Sequence, residues 1–310
     1  MTSPLLVIVG PTCTGKTALA VAAARALAPA EILNADSRQV RRGLTVGTCA
    51  PTARELKGVR CQLLDLCDPD APFTVADWLT AARRCLERLD RAGTRAVVCG
   101  GTGLYVTALV DGFDLTGAAP DPERRAERTQ AASTPVGLES LVRELQARDP
   151  EGAATIDRRN PRRVIRALEI LDARGGSLRT AQRRIAARDA VMIGLDVARP
   201  LHAQWIERRT AAMFEGGGIQ TEVRSLLDAG LDRTAVARCG IGYAEALDLI
   251  EGRLGAEAAI QAAIRRTLRY ARAQRTWFRR DARIRWLRLD LMSPDELLAE
   301  TLCLVAAPQT

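Results

Sequence analysis

The chain has 310 residues, 47% of them apolar, with 45 basic against 37 acidic side chains and a net charge of +8. That length suffices for a full core and roughly two domains. No apolar run is long enough to span a bilayer and no charged leader precedes Leu5, so a cytoplasmic chain with no membrane association is expected. Eight cysteines without a C-x-x-C pair argue against a zinc site or a disulfide framework, and a single histidine, His202, leaves little room for a Ser-His or Cys-His nucleophile pair.

The first apolar run, Leu5–Val9, predicts a strand. It leads directly into Gly10-Pro11-Thr12-Cys13-Thr14-Gly15-Lys16-Thr17, the spacing G-x-x-x-x-G-K-T, which opens a helix over 17–27. Such a loop wraps backbone N–H groups around phosphate oxygens at a helix N-terminus, adds the point charge of Lys16 and offers the Thr17 hydroxyl to Mg²⁺. Lys16 is one of only two lysines among 45 basic residues. It stands where a compact ammonium fits and a planar guanidinium does not. Further strands are expected at 31–35, 63–66 and 95–99, with a helix over 74–92 that Thr74 caps and Asp77 supports three residues on. The alternation predicts a P-loop NTPase-like α/β fold, a parallel sheet flanked by helices, with ligands off the carboxyl ends of the strands. Those ends carry residues 10–17, 36–39 and 100–105.

Beyond Gly112 the spacing turns helical, predicting a helical insertion over 113–193 between two parts of the core, 1–112 and 194–310. The apolar run at 191–195 can return the chain to the sheet. Helices are expected at 200–215, 219–229, 243–251 and 256–279, then a short strand at 284–289, so that the core ends in a basic helical C-terminal region. Between Arg265 and Arg288 lie ten arginines and one acid, Asp281. Arg265, Arg269 and Arg272 share one helical face, a surface suited to a polyphosphate backbone.

Asp36, just past the second strand, faces the phosphate loop in this topology, as a ligand near Mg²⁺ or as a general base; the alternative for an Asp-Ser pair is a helix N-cap. Gly100-Gly101-Thr102-Gly103 forms a second flexible turn in which Thr102 could donate to a leaving-group oxygen.

Eight segments together resemble the tRNA dimethylallyltransferases over roughly residues 5–290: the phosphate loop, Asp36-Ser37-Arg38-Gln39, Gly47-Thr48-x-x-Pro51, the turn at 100–105, Arg166-Ala167-Leu168-Glu169, Arg209-x-x-x-Met213, Ile241-Gly242-Tyr243-x-Glu245 and Gln274-x-Thr276-Trp277-Phe278. The resemblance implies transfer of a dimethylallyl group from dimethylallyl diphosphate to N6 of the adenosine 3′ of the anticodon, with Mg²⁺ and release of diphosphate. It implies Asp36, Thr102 and Arg209 as catalytic residues. Asp36 would take the N6 proton, Thr102 would contact the bridging oxygen, and Arg209 would help the loop hold the diphosphate, with Mg²⁺ at Thr17. The adenosine would flip into a channel. The tRNA anticodon stem-loop would meet Asp36, Ser37, Arg38, Gln39, Arg162, Arg163, Arg166, Gly242, Tyr243, Arg272, Gln274 and Trp277, and a monomer is expected.

The chain departs from the family pattern at Arg41 (Tyr in the family), at Cys49-Ala50 (Ala-Lys), at Cys61-Gln62 (His-His), at Ala211 (Asp), at Ala273 (a basic residue) and by one extra residue before Ile241. Competing expectations are an adenylate isopentenyltransferase acting on a free nucleotide, a P-loop kinase and a catalytically impaired RNA-binding relative.

Overall fold

The structure, a computed structural model, describes residues 3–115, 121–178, 184 and 187–307. The chain forms two compact units, Met1–Val110 with Arg188–Thr310, and Asp111–Ala187. Residues 188–193, placed in the insertion by sequence, therefore belong to the first unit, because they lead into one of its central strands.

That first unit is built on six strands: β1 (Leu5–Val9), β2 (Ala30–Asn34), β3 (Cys61–Gln62), β4 (Arg95–Gly100), β5 (Ala190–Asp196) and β6 (Arg285–Arg288). Their order is β3-β2-β4-β1-β5-β6, and every pairing is parallel. All five residues of β1 are buried, as a strand covered on both faces requires. Each such side chain contributes about 1.5–3 kcal/mol of apolar burial. Helix α1 (Lys16–Ala26) packs its buried Leu19, Ala20, Ala23 and Ala24 into the cluster formed by Ile8, Ile32, Val97 and Ile193.

Most of the expected elements are present within a residue or two, and the departures have local causes. The strand expected at 63–66 lies instead at Cys61–Gln62, because Leu63 (φ 68°) and Asp65 (φ 53°) are left-handed. Asp65 and Leu66 then donate to the carbonyls of Gln39 and Val40. After α2 (Ala53–Leu56) comes α3 (Val75–Arg91), whose N-cap Thr74 and Asp77 form the reciprocal capping box that their spacing suggests. Helix α4 (Gly103–Val110) closes the first part of this unit.

After β5 the chain runs through α9 (Arg199–Phe214), α10 (Gly218–Asp228), α11 (Arg233–Arg238), α12 (Tyr243–Ile250) and α13 (Ala256–Phe278), then β6 and α14 (Pro294–Ala306). Helices α9 to α13 share a second apolar core around Met213, Ile219, Val223, Val236, Tyr243 and Ala263.

The other unit is helical: α5 (Pro122–Ala131), α6 (Pro135–Arg148), α7 (Pro150–Thr155) and α8 (Pro161–Arg174). All four begin on a proline after an Asp, Thr or Asn cap, the expected asymmetry of a helix start. Among the described residues no helix is long and apolar enough to cross a membrane.

Candidate active site

The carboxyl ends of β1, β2 and β4 meet at a cavity of about 400 Å³. Residues 12–17 form its floor, with Asn34, Asp36, Gln39, Thr48, Cys49, Cys99, Gly100 and Arg209 around it. Glycine is required at two points of this floor. Gly10 (φ 146°) would place a Cβ 2.6 Å from the Leu195 carbonyl, and Gly15 (φ 68°) is the left-handed residue that starts α1. Inside the loop, Lys16 Nζ donates to the Pro11 carbonyl at 2.7 Å and Thr14 Oγ1 donates to the same oxygen at 2.8 Å. Burial pushes the Lys16 ammonium below its ordinary value, partly opposed by the nearby Asp36 carboxylate. An arriving diphosphate would reverse that shift. Cys99, beneath the loop, is pushed up by burial to about 11, so its thiol is neutral at physiological pH.

Asp36 opens a turn that no helix continues, which excludes the helix-cap reading. Its Oδ1 accepts from Arg38 N–H at 2.8 Å. Thr102 does not line the cavity. Its Oγ1 accepts from Ser37 N–H at 2.9 Å, so it holds the turn that carries Asp36.

Arg209, on α9, reaches the loop: Nη1 donates to Thr12 Oγ1 at 2.8 Å and to Cys13 Sγ at 3.0 Å, and Nε donates to Cys49 Sγ at 2.8 Å.

Of the residues expected at an RNA surface, several are structural. Tyr243 is fully buried, its hydroxyl donating to Glu222 Oε1 at 2.6 Å, and Gly47 packs so closely on its ring that a Cβ there would lie 2.4 Å away. Gly242 N–H donates to Glu245 Oε2 inside the same packed region. Gln274 is buried too: Oε1 accepts from Thr12 N–H at 2.8 Å, and Nε2 donates to the Gly101 carbonyl at 3.0 Å. Arg166 pairs with Glu169 at 3.2 Å. Arg162 and Arg163 are exposed, as are Arg38 and Arg272. Trp277 is 38% exposed and lies over Gly103, where a Cβ would come within 2.1 Å of its ring.

The basic 265–288 stretch is likewise partly neutralised. Arg266 pairs with Glu245, Arg275 and Arg279 with Asp196, Arg283 with Asp281, and Arg288 with Asp290. Arg265, Arg269 and Arg272 are exposed and have no ion pair among the described residues.

One residue that sequence reasoning missed organises the loop over the cavity. The Glu222 carboxylate, 9% exposed, accepts from the N–H groups of Thr45, Val46 and Gly47 and from the hydroxyls of Thr45 and Tyr243. Gln39 Nε2 donates to the carbonyls of Thr48 and Cys49, tying the same loop from the other side. Nothing in the local pattern of a mid-helix Glu announces this role.

The donor set suits Mg²⁺. The Thr17 hydroxyl is a hard oxygen on the cavity wall, and no cluster of three or more metal-ligating side chains occurs among the described residues. An ion that keeps several waters and shares its remaining sites with phosphate needs no more than that.

A P-loop sheet with an acid and an arginine converging on the phosphate floor defines a nucleotide- or diphosphate-dependent group-transfer enzyme. The IPP transferase family matches residues 39–281, and the isopentenyl transferase family matches residues 3–69. A tRNA dimethylallyltransferase of Bifidobacterium longum is 40% identical over 292 residues, 93% of this chain and 87% of that one. The crystal structure of the tRNA isopentenylpyrophosphate transferase of Bacillus halodurans superposes with a TM-score of 0.71 at 35% identity, covering 97% of this chain and 95% of that one. A eukaryotic dimethylallyltransferase, crystallised acting on tRNA, shares the fold with a TM-score of 0.81 at 23% identity, over 97% of this chain and 78% of that one. The chain belongs to the tRNA dimethylallyltransferase family.

Proposed function

We propose that this protein is a tRNA dimethylallyltransferase that moves a dimethylallyl group from dimethylallyl diphosphate to N6 of the adenosine 3′-adjacent to the anticodon, releasing diphosphate. The observation that carries the reading is the convergence of Lys16, Asp36 and Arg209, from three distant segments, on one cavity floored by the phosphate loop.

The reaction needs a leaving group whose charge is stabilised and an amine whose proton has somewhere to go. Residues 12–17 and Arg209 hold the diphosphate, so negative charge developing on the bridging oxygen meets N–H donors already in place. Mg²⁺, held by the Thr17 hydroxyl, supplies further charge neutralisation when bound. N6 attacks the allylic carbon, the carbon–oxygen bond breaks, and the N6 proton passes to Asp36. Arg38 N–H fixes one carboxylate oxygen of Asp36 and leaves the other to accept. Thr102 acts by holding Ser37 and thereby aiming the Asp36 turn. Exposed Arg38, Arg162, Arg163, Arg265, Arg269 and Arg272 are available to the RNA backbone, and Trp277 to a base. The protein works as a monomer on this reading.

Incubation with labelled dimethylallyl diphosphate and Mg²⁺, offering unmodified tRNA or AMP or ADP, and in parallel ATP without a prenyl donor, tests the reading. Label on tRNA alone is expected. Label on the free nucleotide, or on nothing, overturns it.

A further inference from the structure

Thr12 is gripped at three points. Its N–H donates to Gln274 Oε1, its hydroxyl accepts from Arg209, and its carbonyl lies 2.8 Å from His202 Nε2. The ring's other nitrogen, Nδ1, lies 3.2 Å from Arg275 Nη2. A guanidinium offers only donors, so Nδ1 is the acceptor, the ring proton sits on Nε2, and His202 donates to the Thr12 carbonyl. Arg275 is fixed in turn by Asp196, the last residue of β5, its Nε donating to Oδ1 at 2.9 Å. His202 is 3% exposed, and it stands seven residues before Arg209 on the face of α9 turned to the loop.

The peptide that His202 holds joins Thr12 to Cys13, and Cys13 is left-handed (φ 64°), a conformation that residues with a Cβ avoid. In a trans peptide the C=O and the following N–H point in opposite directions. Cys13 N–H therefore points away from His202. Rotating this one peptide by half a turn changes chiefly ψ of Thr12 and φ of Cys13. It would relieve the left-handed residue and present a carbonyl oxygen where an anion needs an N–H donor. Backbone preference favours the rotation and the His202 hydrogen bond opposes it.

We propose that His202 is a positioning residue that locks the Thr12–Cys13 peptide with its N–H turned to the diphosphate, and that Arg275 sets the ring tautomer that makes the lock. This rests on the reading that the cavity takes a prenyl diphosphate. The lock acts on the donor and not on the transfer step, so its loss is read in KM and in diphosphate affinity more than in kcat.

The test uses the full chain, with calorimetric binding of inorganic diphosphate in Mg²⁺ and steady-state kinetics with tRNA. His202→Leu is expected to raise the diphosphate Kd and the donor KM about tenfold or more, with kcat at saturating donor within about threefold. His202→Gln, whose amide N–H can donate to the Thr12 carbonyl, is expected to restore both to within about threefold of the native protein. Adding Cys13→Gly to His202→Leu is expected to recover part of the loss, because glycine removes the preference for the rotated peptide. Arg275→Met, which leaves the ring in place, gives a second measurement should His202→Leu not fold, and is expected to raise KM by a smaller factor. Unchanged binding in folded His202→Leu, or His202→Gln no better than His202→Leu, overturns the lock while leaving the functional reading intact. Native protein that binds no diphosphate overturns both.

Discussion

The two units differ in what their polar side chains hold in place. Around the cavity of the α/β unit, buried side chains end on backbone: Glu222 on the amides of residues 45–47, Gln274 on Thr12 and Gly101, His202 on the Thr12 carbonyl, whereas the same unit's Asp196 and Glu245 end on arginines. In the Asp111–Ala187 unit two acids of α8 end on arginines, Glu169 on Arg125 and Arg166 and Asp172 on Arg124, Arg128 and Arg148, while Asp149 accepts from the N–H groups of Gly152 and Leu178. The first arrangement shapes loops that have no ladder of their own. The second clips together helices whose backbone bonds are already made. Loss of a group of the first kind should therefore disturb function as well as stability, and loss of one of the second kind stability alone.

Asp36→Asn is the largest expected effect and the sharpest form of that contrast. Removing the proton acceptor should lower kcat by about 10²–10⁴-fold, with diphosphate affinity and Tm nearly unchanged. Single-turnover transfer to tRNA, beside calorimetric binding of diphosphate, measures both. Turnover near the native rate would remove Asp36 from the chemistry.

Glu222→Ala comes next, because it strips one carboxylate from five donors at once. The orphaned buried N–H and O–H groups should cost about 3 kcal/mol of stability, read from urea unfolding, and release the loop over the cavity so that kcat/KM falls as well. Glu222→Gln, which keeps an acceptor oxygen, should lose about 1 kcal/mol. If Glu222→Ala loses stability and keeps full activity, the contrast between the units fails at its main example.

Legibility in the sequence divides along the same line. The phosphate loop, the position of Asp36 and the Thr74 capping box depend on residues a few positions apart, and local spacing carries them. The strand expected at 63–66 is displaced because apolar composition says nothing of the left-handed Leu63 and Asp65. Gln274 and Tyr243, placed on an RNA surface by motif, are buried because their partners, Thr12 and Glu222, lie on other segments, 262 and 21 residues away. The arginines of 265–288 could be counted from sequence, whereas Asp196 and Glu245, which neutralise three of them, could not be assigned to them. Helix α14 falls outside the expected elements although its start, Ser293-Pro294-x-Glu296, carries a readable capping box.

The helical unit supplies a smaller effect of the other kind. Burial pushes the Glu169 and Asp172 carboxyls up, but Arg125 with Arg166, and Arg128 with Arg148, more than offset this and hold both below their ordinary values of 4.5 and 3.8. A depressed folded value means the unfolded chain binds more protons as the pH drops, so the stabilisation is full above about 4.5 and is lost as pH falls through the folded values. Glu169→Gln should therefore cost about 1–2 kcal/mol at neutral pH, given that Arg125 and Arg166 are partly solvated, and almost nothing in strong acid. Thermal melts of the full chain from pH 7 downward test this. Transfer kinetics at neutral pH should barely change.

The smallest effect separates two sets of arginines on a single helix. Arg265, Arg269 and Arg272 are exposed and without ion pairs among the described residues, whereas Arg275 is committed to Asp196 and His202. An arginine that neutralises an RNA phosphate releases counterions, so each of Arg265→Ala, Arg269→Ala and Arg272→Ala should lower the slope of log affinity against log salt for an anticodon stem-loop by about 0.7–0.9. Affinity should weaken only modestly and the donor KM should stay where it is. Arg275→Met should do the reverse, leaving the salt slope unchanged and moving the donor KM. Filter binding over a salt series, with donor kinetics on the same variants, measures both quantities. A changed slope for Arg275→Met, or an unchanged one for the other three, would mean that position on this helix does not divide RNA contact from loop positioning.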